Sequence, residues 1–443
     1  MNAMSHVTFL IIVPSDNEYA AYLGGSATFS GLVIGIPAVF AGLALIPLNK
    51  IDRGAYKLPL HFSCATAILG NVLYGLAYRA HFLYLILIGR IVLGLAFTNF
   101  GYTKRFCSDA RIVGVRRRTT VAGGLVAGQG VGFSVGPFVG GLLFKIGFRN
   151  RVFNGYTSPA WVMAVCWLTY WVVFTKVFVD VPKTPRQAIR SPVELESSVA
   201  PVAATGVQVE DKQVVETKQH VKIKQANAVE PTAPPEIAPI PAPAPPPISL
   251  RQWGVFVTMC WFAMTVWFVL GAWGSNIPVY TAHAWGWSPF GAGNLLALGG
   301  ITTFPLLGVN IWYARRTQDR NILVLGCTLA LAGLLLSAGL FAHGDPAHWG
   351  AFFACWFLTS LGVNIVSTVT MSLLSKHLPP RWNRKTSIAI QYSNFGGRVC
   401  GAVWGGAGVK VGMLNYIGLQ IGLLGVGIVL TGVLWRDLKA RKG

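Results

Sequence analysis

Two arginines stand inside long apolar stretches, where an ionised side chain is costly unless it meets protein, water or a counter-charge. They are Arg90, in GRIVLGLAFTNFGYTKR, and Arg398, in NFGGRVCG. On a helix turning about 100° per residue, positions 90, 94, 97, 101 and 104 fall within about 60° of one another. Arg90 and Lys104 then share a face with glycines between them. Lys104 and Arg105 lie near the end of that stretch, where snorkelling to the membrane surface is the competing role. Arg398 lies about twelve residues in from the end of its own stretch, roughly 18 Å at helical rise, which places it near mid-membrane. The 15 acidic residues read as lying in loops, tail, linker or span ends. An arginine-lined interior without carboxylate partners suits an anion, whose oxygens would accept from the guanidinium donors. The same reading argues against coupling through a buried, titrating carboxylate. No nucleophile can be paired with a base, and the seven cysteines are scattered singly. No enzyme activity, metal or cofactor is expected.

Membrane-crossing helices are needed to hold such residues, and the composition provides them. Of 443 residues 53% are hydrophobic and 12% charged, with a mean hydropathy of +0.53. Apolar runs of about 20 residues, enough to cross roughly 30 Å of hydrocarbon, occur near 27–47, 59–78, 82–103, 119–144, 159–179, 252–273, 288–313, 321–342, 349–374, 386–409 and 413–435. The stretch His6 to Val13 is apolar but too short to cross alone, so it reads as a first span only partly present. Residues 183–250 are Pro-rich, carry alternating charge and lack an apolar face, which predicts a disordered cytosolic linker. The chain therefore divides into a transmembrane half at 1–182, the linker, and a second half at 251–443.

The formal charge of +21 raises the question of nucleic acid. Threading the spans alternately puts 29 Lys/Arg on the side that holds the linker and 5 on the other. That is the positive-inside bias of a membrane protein, so the charge reports topology and no nucleic-acid partner is expected. The lipid bilayer is the expected surround.

Two loops and one helix suggest moving parts. Asn49-Lys50-Ile51-Asp52-Arg53-Gly54 follows the second span and offers an Asp52-Arg53 pair for latching ion pairs, while Arg315 and Arg316 stand in the corresponding loop of the second half. In the fifth span Gly128, Gly132, Gly136 and Gly140 recur every four residues, which predicts a smooth groove along one helix face. Pro137 removes a backbone donor there and permits a bend.

The layout of six spans, a long linker and six spans is similar to that of the major facilitator superfamily, an all-α fold of two six-helix halves that rock about a central site. The Asp52-Arg53 loop resembles that superfamily's cytosolic motif, with the glycine displaced. Gly136-Pro137-Phe138-Val139-Gly140-Gly141 resembles its fifth-span signature. Within the superfamily, several runs resemble the SPX-MFS vacuolar phosphate transporters of plants. They are Ile11-Ile12-Val13-Pro14, Gly31-Leu32-Val33-Ile34-Gly35, Gly70-Asn71-Val72-Leu73-Tyr74, Ile88-Gly89-Arg90, Lys104-Arg105-Phe106-Cys107-Ser108-Asp109, Pro159-Ala160-Trp161-Val162-Met163-Ala164-Val165, Met371-Ser372-Leu373-Leu374-Ser375 and Gly397-Arg398-Val399. The related lysosomal family that includes the ceroid-lipofuscinosis protein is touched as well. The resemblance implies a carrier of inorganic phosphate at a vacuolar or lysosomal membrane, with Lys104, Arg105 and Arg398 at basic positions of the family. An anion channel of the lysosomal kind and a generic small-molecule exporter are the alternatives, and the arginines disfavour the exporter. No SPX domain precedes the spans in this sequence, so regulation by inositol polyphosphates is not expected.

Overall fold

The computed structural model describes residues 1–51, 56–108, 112, 118–148, 150–180, 248–314, 317–343, 347–379 and 382–439. Fourteen helices and no strand occur among them. In order they are α1 (Asn2–Leu10), α2 (Val13–Tyr22), α3 (Ala27–Ile51), α4 (Lys57–Ala80), α5 (Leu83–Ala96), α6 (Asn99–Ser108) and α7 (Arg118–Ile146). There follow α8 (Ser158–Val177), α9 (Leu250–Trp285), α10 (Pro289–Ala314), α11 (Asp319–Ala342), α12 (Trp349–His377), α13 (Asn383–Val411) and α14 (Met413–Val433). Nine helical stretches among the described residues are long and apolar enough to cross a bilayer, so the chain is a multi-pass integral membrane protein. The expected spans at 119–144 and 386–409 coincide with α7 and α13, each 29 residues long. Neither is among those nine stretches.

The N-terminal stretch differs from its expected extent. Helix runs from Asn2 to Tyr22, broken only at Ile11 and Ile12, where Pro14 enters as the second residue of α2. Hydropathy ends at Val13 because Ser15-Asp16-Asn17-Glu18 is polar, yet Ser15 and Asp16 are fully buried. The fourth span is broken too, with α5 ending before Phe97 and α6 starting at Asn99. Almost all of the expected linker lies outside the described residues. Its far end is a capping box, in which Ser249 Oγ accepts from Gln252 N and Gln252 Oε1 accepts from Ser249 N.

Packing is helix on helix. One buried cluster joins Phe262, Trp273, Tyr280, Phe352 and Tyr416, and a second joins Phe9, Tyr19, Tyr74 and Trp167 together with Ala402 of α13. Large apolar side chains such as Val165, Val173, Leu336 and Val429 stay exposed on the outside, as lipid-facing positions must. Close approach is made by glycine. A Cβ on Gly132 of α7 would meet His6, one on Gly136 would meet Leu10, and one on Gly140 would meet the Ile11 carbonyl, so α1 lies in the groove that the spacing predicts. The groove of α13 is deeper. Gly397, Gly401 and Gly405 abut the carbonyls of Met264, Phe268 and Ala272 on α9, a backbone contact repeated every four residues. On another side of α13, Ala402 meets Gly31 and Gly406 meets Ala27, which seats α3. Tyr392 also donates its hydroxyl to the Gly42 carbonyl of α3 at 3.2 Å.

Candidate functional site

A cavity of about 260 Å³ lies among α1, α3, α7, α9, α10, α12 and α13. Phe9, Ile34, Phe133, Trp267, Phe304 and Trp356 give it an apolar, largely aromatic wall. Gln129, Thr303, Ser360, Asn364, Ser367 and Thr368 give it polar points. Several of those points are already committed. Ser367 donates to the Asn364 carbonyl and Thr368 to the Ile365 carbonyl, both at 2.7 Å, which turns the hydroxyl hydrogens back onto α12. Arg398 is the one charged side chain among the described residues that line the cavity.

The glycines of α13 set where that guanidinium stands. Gly397 and Gly401 flank it in sequence and hold the helix at backbone contact with α9, so the side chain projects past α9 toward α1. Its Cζ lies 3.7 Å from the centroid of the Phe9 ring and 4.9 Å from that of Trp267. These are cation–π contacts with ring faces, and the N–H edges make no hydrogen bond among the described residues. Among the described residues Arg398 makes no ion pair. A planar donor fork held by stacking in a mostly apolar cavity can bind an oxyanion edge-on.

Arg90 is placed differently. It is 1% exposed and does not line the cavity. Its Nε donates to the Val33 carbonyl at 3.2 Å and its Nη2 to the Phe9 carbonyl at 3.4 Å. Val33 precedes Pro37 by four residues, and proline has no N–H to give that carbonyl, so Arg90 satisfies the acceptor that the proline frees. Phe9 sits in the last turn of α1, where helical carbonyls also want donors. Nη1 has no partner among the described residues. The guanidinium lies 5.2 Å from the Phe9 centroid, so one ring touches both intramembrane arginines.

The expectation that no carboxylate lies buried is wrong. Asp16 of α2 is fully buried, accepting from Ser30 Oγ at 2.6 Å and from the Tyr74 hydroxyl at 2.8 Å. It stands within electrostatic reach of Arg90. The polar run around it looks like a loop in the sequence, and only its partners on α3 and α4 show why helix continues through it. Because Tyr74→Phe leaves Oδ1 short of a donor in a dry site, we expect it to cost about 1–3 kcal/mol. Thermal unfolding in detergent measures this, and an unchanged midpoint would show that the bond contributes nothing.

The remaining expected residues do not join this site. Lys104 and Arg105 are exposed, and Arg105 stacks 5.4 Å from the ring of Tyr56. The shared face drawn from Arg90 to Lys104 presumes one unbroken helix, and the break at Phe97 and Thr98 interrupts it. Gly132, Gly136 and Gly140 pack on α1, while the Pro137 carbonyl lies against Gly293 of α10. Asp52 and Arg53 lie outside the described residues. Phe9 and Trp267, which hold Arg398, carry no sequence signal beyond apolarity.

The chain matches the Major Facilitator Superfamily over residues 1–340. An uncharacterised MFS-type transporter of Schizosaccharomyces pombe is 27% identical over 450 residues, covering 99% of this chain and 87% of that protein. An SPX domain-containing membrane protein of Arabidopsis thaliana is 28% identical over 395 residues, 86% of this chain and 54% of the plant protein, so the match spans about half of the latter. Among solved structures, the inward-facing, unoccupied form of a bacterial homologue of the human lysosomal transporter Spinster superposes with a TM-score of 0.66 at 13% identity. That match covers 100% of this chain and 96% of the other. A bacterial homologue of the iron transporter ferroportin superposes with a TM-score of 0.64 at 11% identity, covering 98% and 95%. Likeness at that level of identity is likeness of fold.

Proposed function

Because the chain belongs to the Major Facilitator Superfamily, we propose that it is a carrier that moves an anion by alternating access, with Arg398 as its anion contact. The two transmembrane halves, 1–182 and 251–443, rock about the cavity, and the segment 183–250 links them on the cytosolic face. The observation that carries this reading is the guanidinium of Arg398, among the described residues the one charged group of the cavity, held against two rings and making no hydrogen bond to them. The plant resemblance makes inorganic phosphate the first cargo and a vacuolar or lysosomal membrane the site. The membrane potential supplies about 2.3 kcal/mol per charge per 100 mV, enough to drive accumulation of an anion into a positive lumen. Asp16 stands apart from the cavity lining, within electrostatic reach of Arg90.

A second reading is supported by the wall of Phe133, Trp267, Phe304 and Trp356, which suits an anion with an apolar body. Flux into proteoliposomes separates them, with phosphate, chloride and benzoate offered in turn. Removing one partner of a desolvated charged contact costs about 2 kcal/mol or more, so Arg398→Gln should lower anion uptake about thirtyfold. Undiminished uptake in that variant sinks the site.

A further inference from the structure

We infer that Phe9 sets the valence of the cargo, screening Arg90 from the cavity so that the site takes a singly charged anion. The inference rests on the anion-carrier reading above and adds what charge that anion bears. Two guanidiniums approach one ring, Arg398 at 3.7 Å and Arg90 at 5.2 Å from its centroid. Of these only Arg398 lines the cavity. Arg90 is spent on the Val33 and Phe9 carbonyls and lies within electrostatic reach of Asp16, yet its buried Nη1 is left without a partner among the described residues. Of this arginine pair, Arg398 alone therefore presents its charge to the cargo. A dianion entering beside Arg398 would bring one charge without a counter-charge into an apolar cavity, which is expensive.

The same geometry says what would change the preference. Phe9 lies two residues before the break between α1 and α2, and its ring both lines the cavity and stands 5.2 Å from the Arg90 guanidinium, so we take it as the screen. Shortening that side chain lets an anion reach Nη1 and Arg398 together, a two-guanidinium site suited to a dianion. Among the described residues the other ionisable groups near the pair are His6 on α1, which faces Arg398, and Asp16 on α2 and Tyr74 on α4, which face Arg90. The valence test uses anions of fixed charge at one pH.

The test is calorimetric titration of the purified full chain in detergent with hypophosphite, a monoanion, and sulfate, a dianion. The wild-type protein should bind hypophosphite at least about tenfold tighter than sulfate. Phe9→Leu should narrow or reverse that ratio by about tenfold, while Phe9→Trp, which keeps a ring in place, should preserve it. Equal affinity for both anions in the wild type, or an unchanged ratio in Phe9→Leu, would overturn the inference and leave the anion carrier standing. Binding of neither anion by the wild type would overturn both.

Discussion

Arg90→Gln should fail to give stable protein, even though Arg90 and Arg398 look alike as intramembrane arginines in the sequence. The substitution removes the donors to the Val33 and Phe9 carbonyls, reopening the gap left by Pro37 and loosening the last turn of α1. It also removes the positive charge that stands within electrostatic reach of the buried Asp16. Leaving each of the two buried carbonyls without its donor costs about 1–3 kcal/mol, together a large part of a typical total stability of about 5–15 kcal/mol. The measurement is thermal unfolding in detergent beside the yield of monodisperse protein. Asp16→Asn added to Arg90→Gln should recover part of the loss, because the uncompensated carboxylate is then gone. If Arg90→Gln instead folds normally and only loses transport, Arg90 is a cargo ligand and its bonds to the two carbonyls are incidental.

Gly401→Ala should be nearly as damaging through steric contact alone. A Cβ there would run into the backbone of Phe268, and backbone cannot swing aside as a side-chain tip can. Gly397 and Gly405 hold α9 equally close, so a local shift at 401 is resisted one turn away on either side. Overpacking of this kind costs about 1–3 kcal/mol, and the backbone obstacle puts it at the upper end. Gly396→Ala is the control, since nothing lies within 4 Å of the added methyl. It should be neutral or slightly stabilising through helix propensity. Equal unfolding midpoints for the two variants would show that the α9–α13 contact relaxes freely. The same pair reports on the site, because displacing α13 moves Arg398 off the rings of Phe9 and Trp267.

Span positions were legible because hydropathy over about 20 residues is a summed property and tolerates local exceptions. The groove of α7 was legible because glycine spacing is periodic, and the deeper groove of α13 was equally open to reading at 397, 401 and 405. Asp16 was not. A carboxylate beside Ser15, Asn17 and Glu18 has the local look of a loop, and the Ser30 and Tyr74 hydroxyls that make its burial tolerable come from other helices. The different fates of Arg90 and Arg398 were half legible. Pro37 four residues after Val33 announces a carbonyl in need of a donor, but which arginine answers it depends on how α5 packs on α3. The polar α12 wall and the rings around Arg398 depend wholly on tertiary placement.

The crossing of α3 and α13 is fastened unevenly. At Gly42 the Tyr392 hydroxyl bonds one helix to the other, whereas at Gly31 bare backbone rests against Ala402. The two points are eleven residues apart, about 16 Å along the helix. A rod pinned near one end and merely resting near the other behaves as a lever. A small rotation about the Tyr392 pin becomes a larger excursion at the smooth end, where only short-range dispersion must be given up. Arg398 rides between fulcrum and tip, so a swing that opens the smooth end would carry the guanidinium through only part of the stroke.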